Sequence, residues 1–300
     1  MGSGETRSGR SPTLCKKPFV FLSPVVPSLR EALQPFSAVL VTGGSSGIGK
    51  SFIQLCGNLK PDLQFCNLSR RAPDENFPPG ARKNLNHFAC DLSRPDEVAR
   101  AADEVRAFLA GSVPAGQILL FNNSGFGSFG AFAELPLERE LAMIDLNVRG
   151  LVQLTGLLLP KLLRRGGTVI NVASTLAYVP SPFAATYGAT KAFVLHWTLA
   201  LDAELRGSGV RALAVCPGTT ATSFFTAAGA AGNALASPLT LTPDAVAQAA
   251  LRALARGRGQ VVPGFWNKVY TLAAARLPKG LAAQAAARFL SRRRSRPVAA

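Results

Sequence analysis

The chain lacks paired cysteines, clustered histidines and, over residues 251–300, any acidic side chain. Its five cysteines, Cys15, Cys56, Cys66, Cys90 and Cys216, are odd in number and far apart. No two stand in C-x-x-C spacing, so neither a disulfide framework nor a zinc site is suggested. They read as small buried hydrophobes in a reducing cytosol. His87 and His196 have no partner pattern, and no metal site is expected. No internal repeat or low-complexity block is present. No segment reads as a membrane span. The longest uncharged run, Ala212 to Pro243, is broken by Gly, Thr, Ser, Asn and Pro, unlike a lipid-facing helix.

The formal charge of +16 is unevenly spread. Residues 1–37 hold five basic and two acidic side chains, residues 38–250 seventeen and fifteen, and residues 251–300 eleven and none. The body is therefore nearly neutral, and no nucleic-acid partner is expected. A cationic C-terminal tail suits an anionic surface, such as a membrane leaflet or a polyanion; a solubilising tail is the bland alternative. The N-terminal segment has no apolar run followed by a cleavage site. Residues 1–36 read as a poorly ordered extension, in part an upstream misread start, with a transit-type peptide as the other reading. A cytoplasmic protein, peripheral to a membrane if the tail binds one, is the expectation.

From Ser37 onward, short apolar runs alternate with stretches of helical spacing. "SAVLVTGG", "LQFCNLS", "HFACDL", "QILLFNN", "TVINVAS", "VRALAVCPG" and "QVVPG" read as strands. "GIGKSFIQLCGNL", "PDEVARAADEVRAFLAG", "AATYGATKAFVLHWTLALDAELRGSG" and "PDAVAQAALRALARG" read as helices. "LERELAMIDLNVRGLVQLTGLLLPKLLRRGG" reads as a helix with a break. Continuously apolar strands, each followed by a helix, predict an α/β fold. Its expected form is a doubly wound, Rossmann-like parallel sheet with helices on both faces, in a single domain. Ligands bind such sheets beyond the carboxyl ends of the strands. The expected division is the extension 1–36, the sheet domain 37–264 and a basic amphipathic helical tail 265–300.

"TGGSSGIG" sets Gly43, Gly47 and Gly49 between the first strand and the first helix. Gly43 permits a tight turn, Gly47 lets backbone approach a pyrophosphate at the helix N-terminus, and Gly49 lets the helix pack close to the sheet. Ser45, Ser46 and Ile48 complete the candidate phosphate turn. An ordinary structural turn is the alternative for any one glycine cluster. The second strand ends in Ser69, Arg70 and Arg71, with no carboxylate for a ribose 2′-hydroxyl. Forked guanidiniums suit a 2′-phosphate, so NADP(H) is expected over NAD(H). Lys50 is a further candidate cation; solvent-facing arginines are the alternative.

Further landmarks follow: "DL" at Asp91–Leu92, "NNSG" at Asn122–Gly125, Asn147 in "DLNVRG", Ser174 in "INVAS", "YGATK" with Tyr187 and Lys191, and "PGTTAT" from Pro217. In order and spacing, roughly from Ser37 to Gly264, they resemble the short-chain dehydrogenase/reductase family, which carries NADP-dependent oxidoreductases. The resemblance implies that Asp91 and Leu92 flank the adenine and that Asn123, Ser124 and Gly125 line the cofactor through backbone. It also sets Pro217, Gly218, Thr220 and Thr222 at the nicotinamide end. Ser124 stands where the family more often has Ala. Asn147, Ser174, Tyr187 and Lys191 are the implied catalytic set. Tyr187 and Lys191 lie one helical turn apart. A nearby ammonium is expected to draw the phenol down from its ordinary pKa of about 10. Hydride then passes between the nicotinamide and a carbonyl carbon while Tyr187 supplies the proton. Ser174 hydrogen-bonds the substrate oxygen, and Asn147 holds a water chain to the lysine.

Loops beyond the strand ends carry Phe126, Phe129, Phe132, Tyr178, Phe183, Phe224 and Phe225 and little charge. A small apolar ketone or alcohol is the expected substrate, though core packing explains some of these rings equally well. A lipid, 3-ketoacyl or hydroxysteroid-type ketoreductase at a membrane is the second reading, with Trp266 and Tyr270 at the interface. A non-catalytic NADP(H)-sensing protein is the third. The resemblance also implies a homodimer or homotetramer built on the helices that carry Asn147 and Lys191.

Overall fold

The computed structural model describes residues 27–73, 79–222, 224 and 240–294. Seven parallel strands form one sheet. They are β1 (Phe36–Thr42), β2 (Gln64–Ser69), β3 (Leu85–Ala89), β4 (Gln117–Asn122), β5 (Gly167–Val172), β6 (Val210–Val215) and β7 (Gln260–Val261). Their spatial order is β3-β2-β1-β4-β5-β6-β7. The chain thus runs outward from β1 on one side, returns, and builds outward on the other. Crossovers on the two sides must leave by opposite faces, because each is right-handed.

The helices are α1 (Leu29–Leu33), α2 (Gly47–Leu59), α3 (Pro79–Arg82), α4 (Pro95–Gly111), α5 (Leu137–Ile144), α6 (Leu151–Arg165), α7 (Ala185–Glu204), α8 (Pro243–Ala255), α9 (Phe265–Arg276) and α10 (Lys279–Arg294). Alternation along each strand divides the core. Val39, Val41, Leu119, Phe121, Leu213 and Val215 face α1, α2 and α8. Ala38, Leu40, Ile118, Leu120, Val169 and Ala212 face α4, α6 and α7. Phe52 of α2 stacks on Phe121 of β4 with centroids 4.0 Å apart and planes 1° off parallel.

The long segment from Leu137 to Arg165 holds the expected break. It is a π-helical turn, Asp145–Gly150, joining α5 to α6 without interruption. A π-turn inserts a residue into the helix and redirects what it carries, and here it carries Asn147. Gly150 is required there, since a Cβ would stand 2.1 Å from the Leu92 carbonyl oxygen. By length and composition this 29-residue run passes for a membrane span. Here Leu154, Leu158 and Leu162 are spent on the sheet instead.

Residues 28–36 differ from the expected poorly ordered extension; residues 1–26 lie outside the described residues. Ser28 and Glu31 make a reciprocal capping box, and this holds the short helix α1. Leu33 is then fully buried among Phe36, Phe52 and Leu63. A five-residue helix is marginal alone; its buried leucine ties it down. Leu33→Ala should lower the unfolding free energy by about 2–5 kcal/mol, read by urea denaturation. A change near zero would put residues before Ser37 outside the cooperative fold.

Candidate active site

The crevice lies where the strand order reverses, between β1 and β4, as open parallel sheets predict. A cleft of about 2000 Å³ runs along the carboxyl ends of the strands. Every candidate catalytic or cofactor-binding residue read from the sequence lines it except Gly49, Asn147 and Lys50. Gly49 sits behind the turn, where a Cβ would come within 2.5 Å of the Gly43 carbonyl oxygen. Gly43 and Gly47 adopt φ of 67° and 53°, a region that other residues rarely adopt. The Ser46 side chain does not cap α2. The first N–H groups of that helix therefore have no side-chain cap, which suits an anion.

Two residues that the sequence did not single out, Asn67 and Thr42, hold this turn in place. Asn67 of β2 accepts from the Gly44 N–H at 2.8 Å and donates to Ser69 Oγ at 2.9 Å. Thr42 Oγ1 accepts from the backbone N–H groups of Asn123 and Ser124, both at 2.9 Å. The Asn123 side chain donates back to the Thr42 carbonyl at 3.0 Å. The ends of β1, β2 and β4 are thereby fixed to one another. The only legible signal was a lone Asn inside an apolar strand.

Asp91 accepts from the N–H and hydroxyl of Ser93 at 3.0 and 2.7 Å. Burial pushes its carboxyl up, but those bonds and nearby Arg70 and Arg94 hold it below the ordinary value. Arg70 reaches it at 3.9 Å. Arg70 and Arg71 are both exposed on the rim of the cleft. Leu92 and Ser124 line the wall beside them, and Pro217, Gly218, Thr220 and Thr222 line the far side.

At the other end of the cleft, Ser174 caps the short turn after β5, accepting from the Leu176 N–H at 3.1 Å. Its hydroxyl also meets Tyr187. Tyr187 and Lys191 project from α7, with the Lys191 ammonium 5.8 Å from the phenol ring centroid. Lys191 is 4% exposed and donates to the Val172 carbonyl at 2.9 Å. Asn147 is buried behind them. It donates to the Phe126 carbonyl at 2.9 Å and to Thr190 Oγ1 at 3.1 Å, and accepts from the Phe126 N–H at 3.1 Å. Its Oδ1 and the Lys191 ammonium both crowd Gly125, where a Cβ would lie 2.9 and 3.3 Å from them. The sequence predicted four residues that meet; the π-turn and the Thr190 contact are what bring the fourth in.

One electrostatic expectation is overturned in this state. Burial pushes the Tyr187 phenol up to about 12, with Ser174 pulling the other way. Burial likewise pushes the Lys191 ammonium down to about 8. Desolvation penalises both charged forms, and it is the largest influence on each group. Cys216, also in contact with this region, is pushed up to about 11 by burial. Cys56, Cys66, Cys90 and Cys216 are all buried free thiols. Among the described residues no cluster suits a metal ion.

Rings close the substrate side. Met143, Ala184 and Tyr187 form a small cluster with Phe126, Phe129, Leu176 and Phe224. Phe183 lines the cleft with φ of 62°, a strained conformation for an aromatic residue. Phe132 points away and is exposed, and Phe225 lies outside the described residues. The sequence left open that the first tail helix closes the substrate pocket or a dimer interface; the tail places Tyr270, Ala274 and Leu277, from α9 and its end, and Ala282 and Ala286, from α10, on the cleft.

The fold and this cleft define a dinucleotide-type oxidoreductase site. The short chain dehydrogenase family model matches residues 37–232, and the chain belongs to that family. The uncharacterized oxidoreductase YbbO of Escherichia coli K12 is 34% identical over 192 residues, covering 62% of this chain and 67% of that one. A serine 3-dehydrogenase of Rhizobium radiobacter is 33% identical over 191 residues, covering 62% and 73%. A short-chain dehydrogenase of Sphingobium yanoikuyae, solved with NADPH, superposes with TM-score 0.68 at 25% identity over 88% of this chain and 98% of its own. A 7beta-hydroxysteroid dehydrogenase superposes with TM-score 0.71 at 25% identity over 85% and 99%.

The buried ammonium has a thermodynamic signature. Lys191 binds its proton less tightly in the fold than in the unfolded chain, so stability rises with pH between about 8 and 10.5. Below pH 8 the cost of burial is fully present, on the order of 3 kcal/mol. Lys191→Met should therefore raise the melting temperature at pH 7 without cofactor, and the gain should shrink toward pH 10. A gain independent of pH would reject burial as its cause.

Proposed function

We propose that the protein is an NADPH-dependent oxidoreductase that interconverts a carbonyl and a secondary alcohol on an apolar substrate. The observation that carries this reading is the meeting of Ser174 and the Tyr187 hydroxyl at the ring-lined end of the cleft, with Lys191 buried beside them. The glycine turn, Asp91, Leu92 and the Asn123–Gly125 backbone hold the dinucleotide. Bound there, the nicotinamide supplies or takes up the hydride.

Tyr187 holds the proton that passes to the substrate oxygen. A phenol raised to about 12 stays protonated at neutral pH, which suits a general acid in the reductive direction. Ser174 donates to the same oxygen and stabilises charge that develops on it. Lys191 brings positive charge to the cofactor side of Tyr187. Its ammonium loses its proton above about pH 8 in the free enzyme, so kcat/KM for reduction should fall above that pH. Asn147 holds Gly125 and Phe126 against the lysine.

The missing carboxylate after β2 and the exposed Arg70 and Arg71 support NADPH, as does the neighbour solved with NADPH. Of the two substrate classes read from the sequence, the apolar tail residues on the cleft favour a lipid-like ketone over a small one. An exposed apolar row on α5, Leu137, Leu141 and Ile144, with Phe193 of α7 beside it, supports a homodimer or homotetramer.

Three outcomes test these points. Tyr187→Phe should lower turnover of NADPH with a ketone panel by at least about a hundredfold. Cofactor binding should persist, read by fluorescence. Tight binding with no turnover in the wild type would favour the non-catalytic sensor. Arg70→Ala with Arg71→Ala should weaken NADPH relative to NADH by about tenfold or more; unchanged selectivity would reject the arginines as readers of the 2′-phosphate. Leu141→Glu should shift the mass by light scattering toward the monomer.

A further inference from the structure

We propose that α9 and α10 form a docking face for an anionic lipid bilayer, and that the cleft draws its apolar substrate from that bilayer. The second half rests on the reductase reading above; the first does not.

Helix α9 is turned inside out relative to a helix that faces water. The side chains it buries are Asn267, Thr271 and Ala274. The side chains it exposes on the opposite face are Phe265, Val269 and Leu272, at spacings of four and three residues that share one stripe. Phe265 is 70% exposed, Leu272 59% and Trp266, edge-on to Phe265, 64%. Leu277 and Leu281 continue the apolar surface onto α10. A contiguous patch of this kind marks an interaction surface.

The face is held rigidly. The Asn267 side chain lies against Gly218 and donates to the Pro263 carbonyl at 3.0 Å. Lys279 donates to the Tyr178 carbonyl at 2.7 Å. The outward side chains therefore cannot turn inward without breaking these bonds.

Charge selects the occupant. From residue 251 to 300 there are eleven basic and no acidic residues. A second copy on this face would bring two cationic surfaces together. An anionic bilayer answers both features: it accepts the apolar stripe at its interfacial level and attracts Lys268 and Arg276, exposed on the same helix. Tryptophan beside such a stripe suits the interface. The inward residues Ala274 and Ala282 line the cleft, and Leu277 stands at its edge, so docking by the outward face sets the mouth of the cleft against the lipid.

The test uses the full chain and sedimentation with two kinds of vesicle, phosphatidylcholine alone and phosphatidylcholine with phosphatidylglycerol in equal parts. Binding to the second kind is expected. The double variant Phe265→Ser, Trp266→Ser should weaken it at least about tenfold, and Leu272→Ser, on the same stripe, should also weaken it. Trp266 emission, taken as wild type minus Trp266→Phe, should lie to the red in buffer and shift to the blue with anionic vesicles. No binding to anionic vesicles overturns the proposal. So does binding untouched by either variant, which would assign it to the basic tail alone. Blue emission in buffer at every protein concentration would mean that another segment of the chain covers the face. Blue emission that grows with concentration would mean self-association. Either overturns it.

A catalytic arm tests the second half. With a long-chain ketone carried in anionic vesicles, the double variant should lose turnover at least about tenfold, in step with binding. With a short water-soluble ketone it should match the wild type. Equal loss on both ketones overturns a bilayer-fed cleft. Silence of the wild type on both removes the reductase reading and the bilayer-fed cleft with it, while sedimentation still judges the docking face by itself.

Discussion

Parallel pairing of β1 with β4 is the contact on which the site depends. It obliges the chain to leave β1 toward β2, cross back over the sheet and resume on the other side. Right-handed crossovers then run on opposite faces, and the described residues leave a gap above the ends of β1 and β4. That gap is the cleft. Its walls are held by side chains in the strands themselves: Thr42 bonds the Asn123 and Ser124 backbone, and Asn67 bonds Gly44. The Gly43 N–H also donates to the Leu68 carbonyl of β2 at 2.9 Å, so the geometry of the glycine turn is inherited from the sheet.

Burial sets the chemistry at the other end of the cleft. Tyr187 and Lys191 are both taken out of water, and desolvation moves each toward its neutral form. Proximity alone suggested the opposite for the phenol. The difference follows from magnitudes: taking a group from water disfavours its charged form by several pKa units, whereas a partner that is itself partly desolvated returns less. A bound dinucleotide would change the polarity around both groups, and their proton affinities belong to whichever state is occupied.

The tail helices join the two themes. They frame the apolar end of the cleft with alanines beside Tyr270 and Leu277, and turn Phe265, Val269 and Leu272 outward. Such an arrangement is costly in water at every exposed ring. It becomes favourable when the outer face meets an apolar phase, and the same helices then sit between that phase and the substrate end of the cleft.

The alternation of apolar runs with helical spacing determined the α/β class, because hydrophobic period is a local property of the chain. The glycine turn and the Tyr187–Lys191 pair were legible for the same reason: each depends on residues a few positions apart. Ser174 and Asn147 were legible only through their order along the chain, and only the fold brought them to α7. Other features were invisible because they join distant segments. Thr42 meets Asn123 and Asn67 meets Gly44 across neighbouring strands. A break in the long helix was legible, but not that a π-turn, Asp145–Gly150, forms it, nor that Gly150 packs against the Leu92 carbonyl. Leu33 belongs to the core because α1 folds back onto α2 and α8. The sense of the tail's amphipathicity was likewise undecided in the sequence. A stripe has two sides, and tertiary packing chose to bury Asn267, Thr271 and Ala274 and leave the rings outside.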